Sequence, residues 1–166
     1  MLSNLPSKAV TTKNSQSTNM NIKNIDLKLI KLLRASFIPL ARAAIFIIFF
    51  WFGMLKLLDL SPAGPIAHAL IDQTVGGQHF DWMFKVLAVF ECVIGVLFLF
   101  PKLTRIVIPL LLLHMLIVCS PLLLVPDQTW SQAFVPTLEG QYIIKNVAII
   151  ALAIGIAAQT TPLKKK

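Results

Sequence analysis

Five ionisable side chains lie inside long apolar runs of this sequence: Arg42, Lys56, Glu91, His114 and Lys145. A charge inside a bilayer is energetically costly, so such residues mark either a functional site or a pairing between helices. Opposite charges at a matched depth offset part of that cost. Glu91 is the one carboxylate well inside an apolar run. It is therefore the first residue for which a partner is expected.

Lys56 is the expected partner of Glu91. Gly53 lies one helical turn before Lys56, and Ala88 and Gly95 share the helical face of Glu91. Small residues let a neighbouring helix approach closely, so both faces should point into a bundle. At 1.5 Å per residue, Lys56 lies about 6 Å from the end of its run at residue 60, and Glu91 lies about 10 Å from the start of its run at residue 84. These two points are expected at the same boundary of the membrane. A lysine side chain bridges that difference.

A second polar region, residues 137–146, forms the entry to the last apolar run. Lys145 lies about 5–7 Å below the same membrane boundary as Lys56 and Glu91, and it is therefore a second candidate partner for Glu91. Thr137 can cap a helix here, with Glu139 in its first turn. The region forms either a structural polar network or part of an outward-facing pocket that handles a proton or a small polar head group. The candidate cluster comprises Lys56, Glu91, Glu139, Tyr142, Lys145 and Asn146.

His114 is a secondary candidate in the middle of its apolar run. A single buried histidine is more often a packing residue than a ligand. Haem ligation would need a second histidine in an apolar run, whereas His68 and His79 fall in predicted loops. No group of residues has metal-ligand spacing, so we predict no metal site. Arg42 and Lys85, near the ends of their runs, are expected to reach lipid head groups.

Four apolar runs position these residues, at 37–60, 84–100, 106–125 and 141–158. Each is long enough to cross a hydrocarbon core of about 30 Å. The chain is 57% hydrophobic and only 13% charged, with a mean hydropathy of +0.79, unlike a soluble domain. We therefore predict an all-α integral membrane four-helix bundle. This composition excludes a soluble enzyme, a nucleic-acid-binding protein and a disulfide-built secreted module.

The flanking segments are polar or basic. Residues 1–21 lack periodicity and are predicted to form a disordered tail. Residues 22–36 place apolar side chains on one face and lysines on the other, which predicts an amphipathic helix at the membrane interface. Residues 159–166 form a basic tail. The net charge of +8 is therefore attributed to anionic lipid and topology rather than to nucleic acid.

Charge asymmetry predicts the orientation. Segments 59–81 and 126–140 contain no Lys or Arg, whereas both tails and the turn 101–105 are basic. The positive-inside rule then places both termini in the cytoplasm and the two long loops outside. The first of these loops should hold a short helix over 66–75.

Four motifs carry a resemblance to a known family: WFGMLK at 51–56, LSP at 60–62, FECVIG at 90–95 and EGQYIIKN at 139–146. In this order and spacing they resemble the DoxX-like group of small bacterial membrane proteins, in particular its branch of YkgB-type and RclC-type proteins. The resemblance covers about 34–155. It implies a four-helix bundle in the bacterial inner membrane.

The resemblance also bears on function. Some DoxX-like proteins are membrane subunits of thiosulfate:quinone oxidoreductase, and others are linked to oxidative or reactive-chlorine defence. The recurring polar pattern of the group matches Lys56, Glu91 and Lys145, but no catalytic residue carries over. Cys92 and Cys119 both lie in apolar runs, where inert thiols are expected. Without a cysteine in a loop to take a sulfur substrate, the thiosulfate activity is weakened for this chain.

Three functions remain open at this level. The first is a DoxX-like inner-membrane protein associated with redox chemistry or stress, with a quinone as the expected cofactor near Lys56, Glu91 and Lys145. The second is a small proton-coupled transporter or exporter that uses Glu91 as its ionisable carrier. The third is a non-enzymatic accessory subunit of a membrane or redox partner protein.

Overall fold

The computed structural model describes the backbone of residues 8–160 and the side chains of residues 22–160. The chain divides into two units, residues 1–40 and 41–166. Apart from one short hairpin, the regular structure of the described residues is helical. The candidate residues themselves belong to the second unit.

The first helix, α1, spans Lys8–Leu57. It begins within the segment predicted to be a disordered tail, and the helix expected over 22–36 is part of it. No glycine or proline interrupts the sequence between Pro6 and Pro39, so nothing in the residue types forces a break there. Residues 1–7 and the tail from residue 161 lie outside the described residues.

The first long loop contains the expected short helix. This helix, α2, spans Gly64–Thr74, which confirms the prediction for 66–75. Gly76 follows with a φ of 95°, a conformation that glycine adopts without steric cost. A 3-10 turn at Gly77–His79 then leads into α3, which spans Phe80–Phe98.

The rest of the chain consists of shorter elements. They are a 3-10 turn at Pro101–Leu103, α4 at Thr104–Cys119, α5 at Pro121–Leu124, α6 at Pro126–Thr129, the antiparallel strands β1 at Trp130–Gln132 and β2 at Val135–Pro136, α7 at Leu138–Ile144 and α8 at Asn146–Ala158. The main helix of the third apolar run, α4, therefore ends at Cys119, before Pro121. The fourth has a break at Lys145 between α7 and α8.

Three helical stretches of the described residues are long and apolar enough to cross a membrane. They are Ile22–Leu57, Pro101–Leu124 and Leu138–Ala158. The second predicted run coincides with α3, a helix of 19 residues. It carries the charged residues Asp81, Lys85 and Glu91 and is not among the three.

The core of the second unit lies where α1, α3, α4 and α8 meet. Its apolar side chains include Ile45, Phe49, Ala88, Ile94, Phe98, Val107, Leu111, Ala153 and Ile156. Helix α4 packs against both α3 and α8. This arrangement brings one face each of α1, α3 and α4 to a common interior.

Candidate functional site

Glu91 stands at the centre of a buried group of three ionisable side chains from three helices. Its Oε2 lies 2.5 Å from Lys56 Nζ on α1, and its Oε1 lies 3.2 Å from His114 Nε2 on α4. The side-chain exposures are 7% for Glu91, 9% for Lys56 and 2% for His114. We refer to Lys56, Glu91 and His114 as the ion cluster. The expected pairing of Lys56 with Glu91 is present.

Small residues bring α1 and α3 together at the ion cluster. A Cβ atom on Gly53 would lie 2.8 Å from the Ala88 carbonyl oxygen and 2.6 Å from Cys92 Sγ. A Cβ atom on Gly95 would lie 2.9 Å from the Phe50 backbone nitrogen. These separations are too short for real Cβ contacts, so only glycine permits this approach of the two backbones. The pairing across α1 and α3 depends on it.

The two nitrogens of His114 have different environments. Nε2 faces Glu91, whereas Nδ1 is buried and has no hydrogen-bond partner. A carboxylate that is ionised only accepts hydrogen bonds, so this 3.2 Å contact favours the ring tautomer with its hydrogen on Nε2. Nδ1 of the neutral ring is then an acceptor with a free lone pair. The structure thus holds an oriented imidazole whose buried Nδ1 has no hydrogen-bond partner.

Aromatic rings and an apolar groove adjoin that imidazole. The Phe49 and Phe90 ring centroids lie 5.4 and 5.9 Å from that of His114. Phe90 also lines a groove of about 410 Å³ on α3, together with Lys85, Val86, Val89 and Val93. Phe90 is thus shared by the lining of the groove and the surroundings of the imidazole.

Lys85 closes the end of the site next to the first loop. Its Nζ lies 2.5 Å from Asp59 Oδ1 and donates to the backbone oxygens of Leu57, at 2.9 Å, and Lys56, at 3.4 Å. A cation at the end of a helix satisfies carbonyls that have no partner within the helix. Lys85, which was expected to reach the lipid head groups, also ties α3 to the C-terminal end of α1.

The polar residues before the last apolar run do not join the ion cluster. Glu139, Tyr142 and Lys145 are exposed and Asn146 is half-buried. Lys145 Nζ lies 4.1 Å from the centroid of the Tyr142 ring. Thr137 caps α7 as predicted, because its side chain accepts a hydrogen bond from the Gly140 amide. We refer to Glu139, Tyr142, Lys145 and Asn146 as the α7 polar segment.

The α7 polar segment faces away because the adjacent face of α7 is the packed one. Gly140 and Ile143 are the buried residues of this helix. A Cβ atom on Gly140 would collide with the Thr129 carbonyl oxygen, so the backbone of α7 is pressed against that segment of chain. The second candidate partnership, between Lys145 and Glu91, is therefore not formed.

The partnership between His114 and Glu91 was not predicted, because His114 was interpreted as a lone residue in the middle of its run. At 1.5 Å per residue from the turn that joins the second and third runs, Glu91 lies about 14 Å from Phe100 and His114 about 12 Å from Ile106. This similar depth was the available signal.

Arg42 also differs from its expected surface position. It is 8% exposed, and its guanidinium contacts the turn between α3 and α4 rather than the surface. The sequence predicted that Arg42 extends along the surface to lipid head groups. This extension is wrong, because the guanidinium is buried.

Among the residues whose side chains are described, no three His, Cys, Asp or Glu side chains are grouped as metal ligands.

Comparison with known proteins adds no relative to this description: no protein-family model, no curated protein and no solved structure matches the chain.

Proposed function

We propose that this chain is a four-span protein of the DoxX-like type in the bacterial inner membrane, associated with redox or stress chemistry. Its ion cluster binds the head group of a membrane quinol and takes a proton from it. The observation that carries the proposal is the buried Nδ1 of His114, which has no partner while Nε2 is fixed by Glu91.

A fourth crossing by α3 is supported by the way its charges are neutralised. Asp81 lies in the first turn, next to the loop. Lys85 pairs with Asp59 near the end of α1, and Glu91 pairs with Lys56. A paired charge costs less in a low-dielectric environment than an isolated one. With these charges matched, the remaining surface of α3 is apolar and 19 residues suffice to span.

Accessible cysteines test the number of crossings and the orientation. In a chain with Cys92→Ala and Cys119→Ala, single cysteines replace Gln78, Gln128 or Lys102. Positions 78 and 128 should react with a membrane-impermeant thiol reagent in intact cells, and position 102 should not. If α3 does not cross, positions 78 and 102 will behave alike, which contradicts the four-span arrangement. Labelling at position 102 alone contradicts the orientation.

The residues of the site fit a quinol. A quinol presents hydroxyl donors on a ring with an apolar tail, and a quinone supplies two-electron, two-proton redox chemistry when bound. The acceptor Nδ1 of His114 suits such a hydroxyl, and the neighbouring Phe49 and Phe90 rings suit an aromatic head group. The apolar groove on α3 that includes Phe90 suits a tail.

Each member of the ion cluster has a distinct task in this proposal. When a quinol is oxidised it gives up two protons and two electrons; His114 would hold one of these protons at Nδ1 and pass it to water, and the second proton would leave to water directly. Glu91 fixes the ring orientation through Nε2 and stabilises the imidazolium, as a carboxylate does beside a catalytic histidine. Lys56 pairs with the other carboxylate oxygen of Glu91. The two electrons would go to the redox centre of a membrane partner protein, which the proposal requires as the electron acceptor.

The experiment measures the quinone that co-purifies with the chain in mild detergent. His114→Gln keeps an amide donor for Glu91 but removes the basic nitrogen, and His79→Gln is the matched control in a loop. We expect quinone with the wild-type chain and with His79→Gln, and a several-fold loss with His114→Gln. The proposal fails if the wild-type chain carries none or if His114→Gln retains as much.

The two other functions have less support from the geometry. A proton-coupled exporter needs a carboxylate that can be released to its substrate or to water, whereas both oxygens of Glu91 are engaged. An accessory subunit requires only helix-binding faces. It gives no reason for a buried imidazole with an open acceptor.

A further inference from the structure

Arg42 forms a second buried polar site, next to the turn that joins α3 to α4. Its Nη1 donates to the Phe98 carbonyl oxygen at 3.0 Å, and its Nη2 donates to Thr104 Oγ1 at 2.5 Å. The Thr104 hydroxyl donates in turn to the Pro101 carbonyl oxygen at 2.7 Å. Arg42 and Thr104 are 8% and 1% exposed. The guanidinium is thus held in a fixed position.

The bonding of this guanidinium is incomplete. It has five N–H donors, of which the Phe98 and Thr104 contacts use two. Its Nε is buried and has no partner. Among the side chains described for residues 22–160, no carboxylate lies within salt-bridge distance of Arg42. A buried charge of this kind costs several kcal/mol unless an anion compensates it.

The C-terminal end of α3 supplies only part of that compensation. The last carbonyls of a helix carry a partial negative charge equivalent to about half an elementary charge. The Phe98 carbonyl uses one donor on Nη1 and leaves the Nε–H without an acceptor. A structural cap for α3 therefore explains one face of the guanidinium and not the other.

We propose that Arg42 binds a phosphate group, with the free donors of the guanidinium directed to its oxygens. Arginine presents a planar fork of donors that matches a phosphate, and charge-assisted bonds of this type are stronger than neutral ones. Lys102 is exposed in the same turn and adds positive charge near the site. Basic pockets between membrane helices commonly take anionic lipid head groups. The phosphodiester of such a lipid and free inorganic phosphate share the chemistry required.

The test is native mass spectrometry of the full chain in mild detergent, titrated with phosphatidylglycerol or, for comparison, phosphatidylcholine. The wild-type chain should bind one phosphatidylglycerol in preference to phosphatidylcholine. Arg42→Met should abolish this binding. Lys145→Met, which removes an exposed cation elsewhere in the chain, should leave the affinity within about twofold, as expected for a surface charge.

Arg42→Lys keeps the positive charge and serves if Arg42→Met does not fold. It removes the planar fork, so the affinity should fall about tenfold, the effect of losing a hydrogen bond between charged groups. Binding that Arg42→Lys leaves unchanged overturns the proposal.

Inorganic phosphate, added in place of lipid, identifies the source of the group. One supporting result is thermal protection by inorganic phosphate that is lost in Arg42→Lys, together with no preference for phosphatidylglycerol. This result supports the proposed phosphate site and identifies its ligand as free phosphate. Equal occupancy by both lipids in all variants, with no protection by inorganic phosphate, contradicts it.

Discussion

The ion cluster and the α7 polar segment contain similar residue types but have opposite environments. In the first, a lysine and a glutamate are buried with a histidine and satisfy one another. In the second, a glutamate on α7 and the lysine directly after α7 are exposed, and the lysine lies over an aromatic ring. The difference arises from packing: glycine faces bring α1 and α3 together at the cluster, whereas Gly140 and Ile143 turn the polar face of α7 outward.

The two carboxylates provide the strongest contrast. Glu91→Gln leaves Lys56 buried without a counter-charge, so we expect the free energy of unfolding to fall by about 3–5 kcal/mol. Glu139→Gln removes an exposed carboxylate from the first turn of α7 and should cost at most about 1 kcal/mol. Thermal unfolding of both variants in the same detergent measures the difference. Equal small losses would show that the ion cluster is not a stabilising unit.

A second substitution sharpens the same contrast by rescue. In the Glu91→Gln background, Lys56→Met removes the uncompensated cation and should recover about 2–4 kcal/mol, because apolar replacement of a buried ion pair is often tolerated. Lys145→Met in that background should recover nothing, since Lys145 does not contact Glu91. The unfolding temperatures of the two double variants, compared with that of Glu91→Gln alone, measure the rescue. A rescue by Lys145→Met as large as that by Lys56→Met contradicts the assigned partnership.

The close approach of α1 and α3 is tested at Gly53. Gly53→Ala places a Cβ against the Ala88 carbonyl and Cys92, which should cost about 1–3 kcal/mol through overpacking. Gly64→Ala is the control, because a Cβ there meets nothing within 4 Å. Both variants are compared by thermal unfolding. If Gly53→Ala is as stable as Gly64→Ala, the approach is looser than described here.

The smallest effect is expected in the α7 polar segment itself. Tyr142→Leu removes the ring under Lys145 and should change the free energy of unfolding by about 0.5–1 kcal/mol, the value of an exposed cation–π contact. Thermal unfolding of this single variant is sufficient. A loss as large as that of Glu91→Gln would place the segment among the buried, stabilising contacts.

Much of the ion cluster could be predicted from residue types and spacing. The cost of a buried charge and the small residues beside it led to the pairing of Lys56 with Glu91, which is present. The role of His114 was not predicted, because a single histidine in the middle of an apolar run was interpreted as a packing residue. Lys145 shared the right depth, but depth alone does not determine which face of a short helix is packed.

The fold, too, was predicted where local sequence signals determine it and was not predicted where distant segments meet. The α2 helix and the Thr137 cap follow from local sequence signals and were predicted. The burial of Arg42 depends on contact between α1 and the turn after α3. The contacting residues are separated by 56 and 62 positions in the sequence. Hydropathy along the chain contains no information about such a contact.

The central claim is that His114 offers an open acceptor to a quinol, and nitrogen-15 NMR of the histidines measures it directly. The chain has three histidines, His68, His79 and His114, so a histidine-labelled sample in nanodiscs gives few signals, and His114→Gln assigns the relevant ones. Adding ubiquinol should shift the Nδ1 resonance of His114 and leave those of His68 and His79 in place. An unchanged His114 resonance at saturating ubiquinol, or equal shifts at all three histidines, would contradict the account.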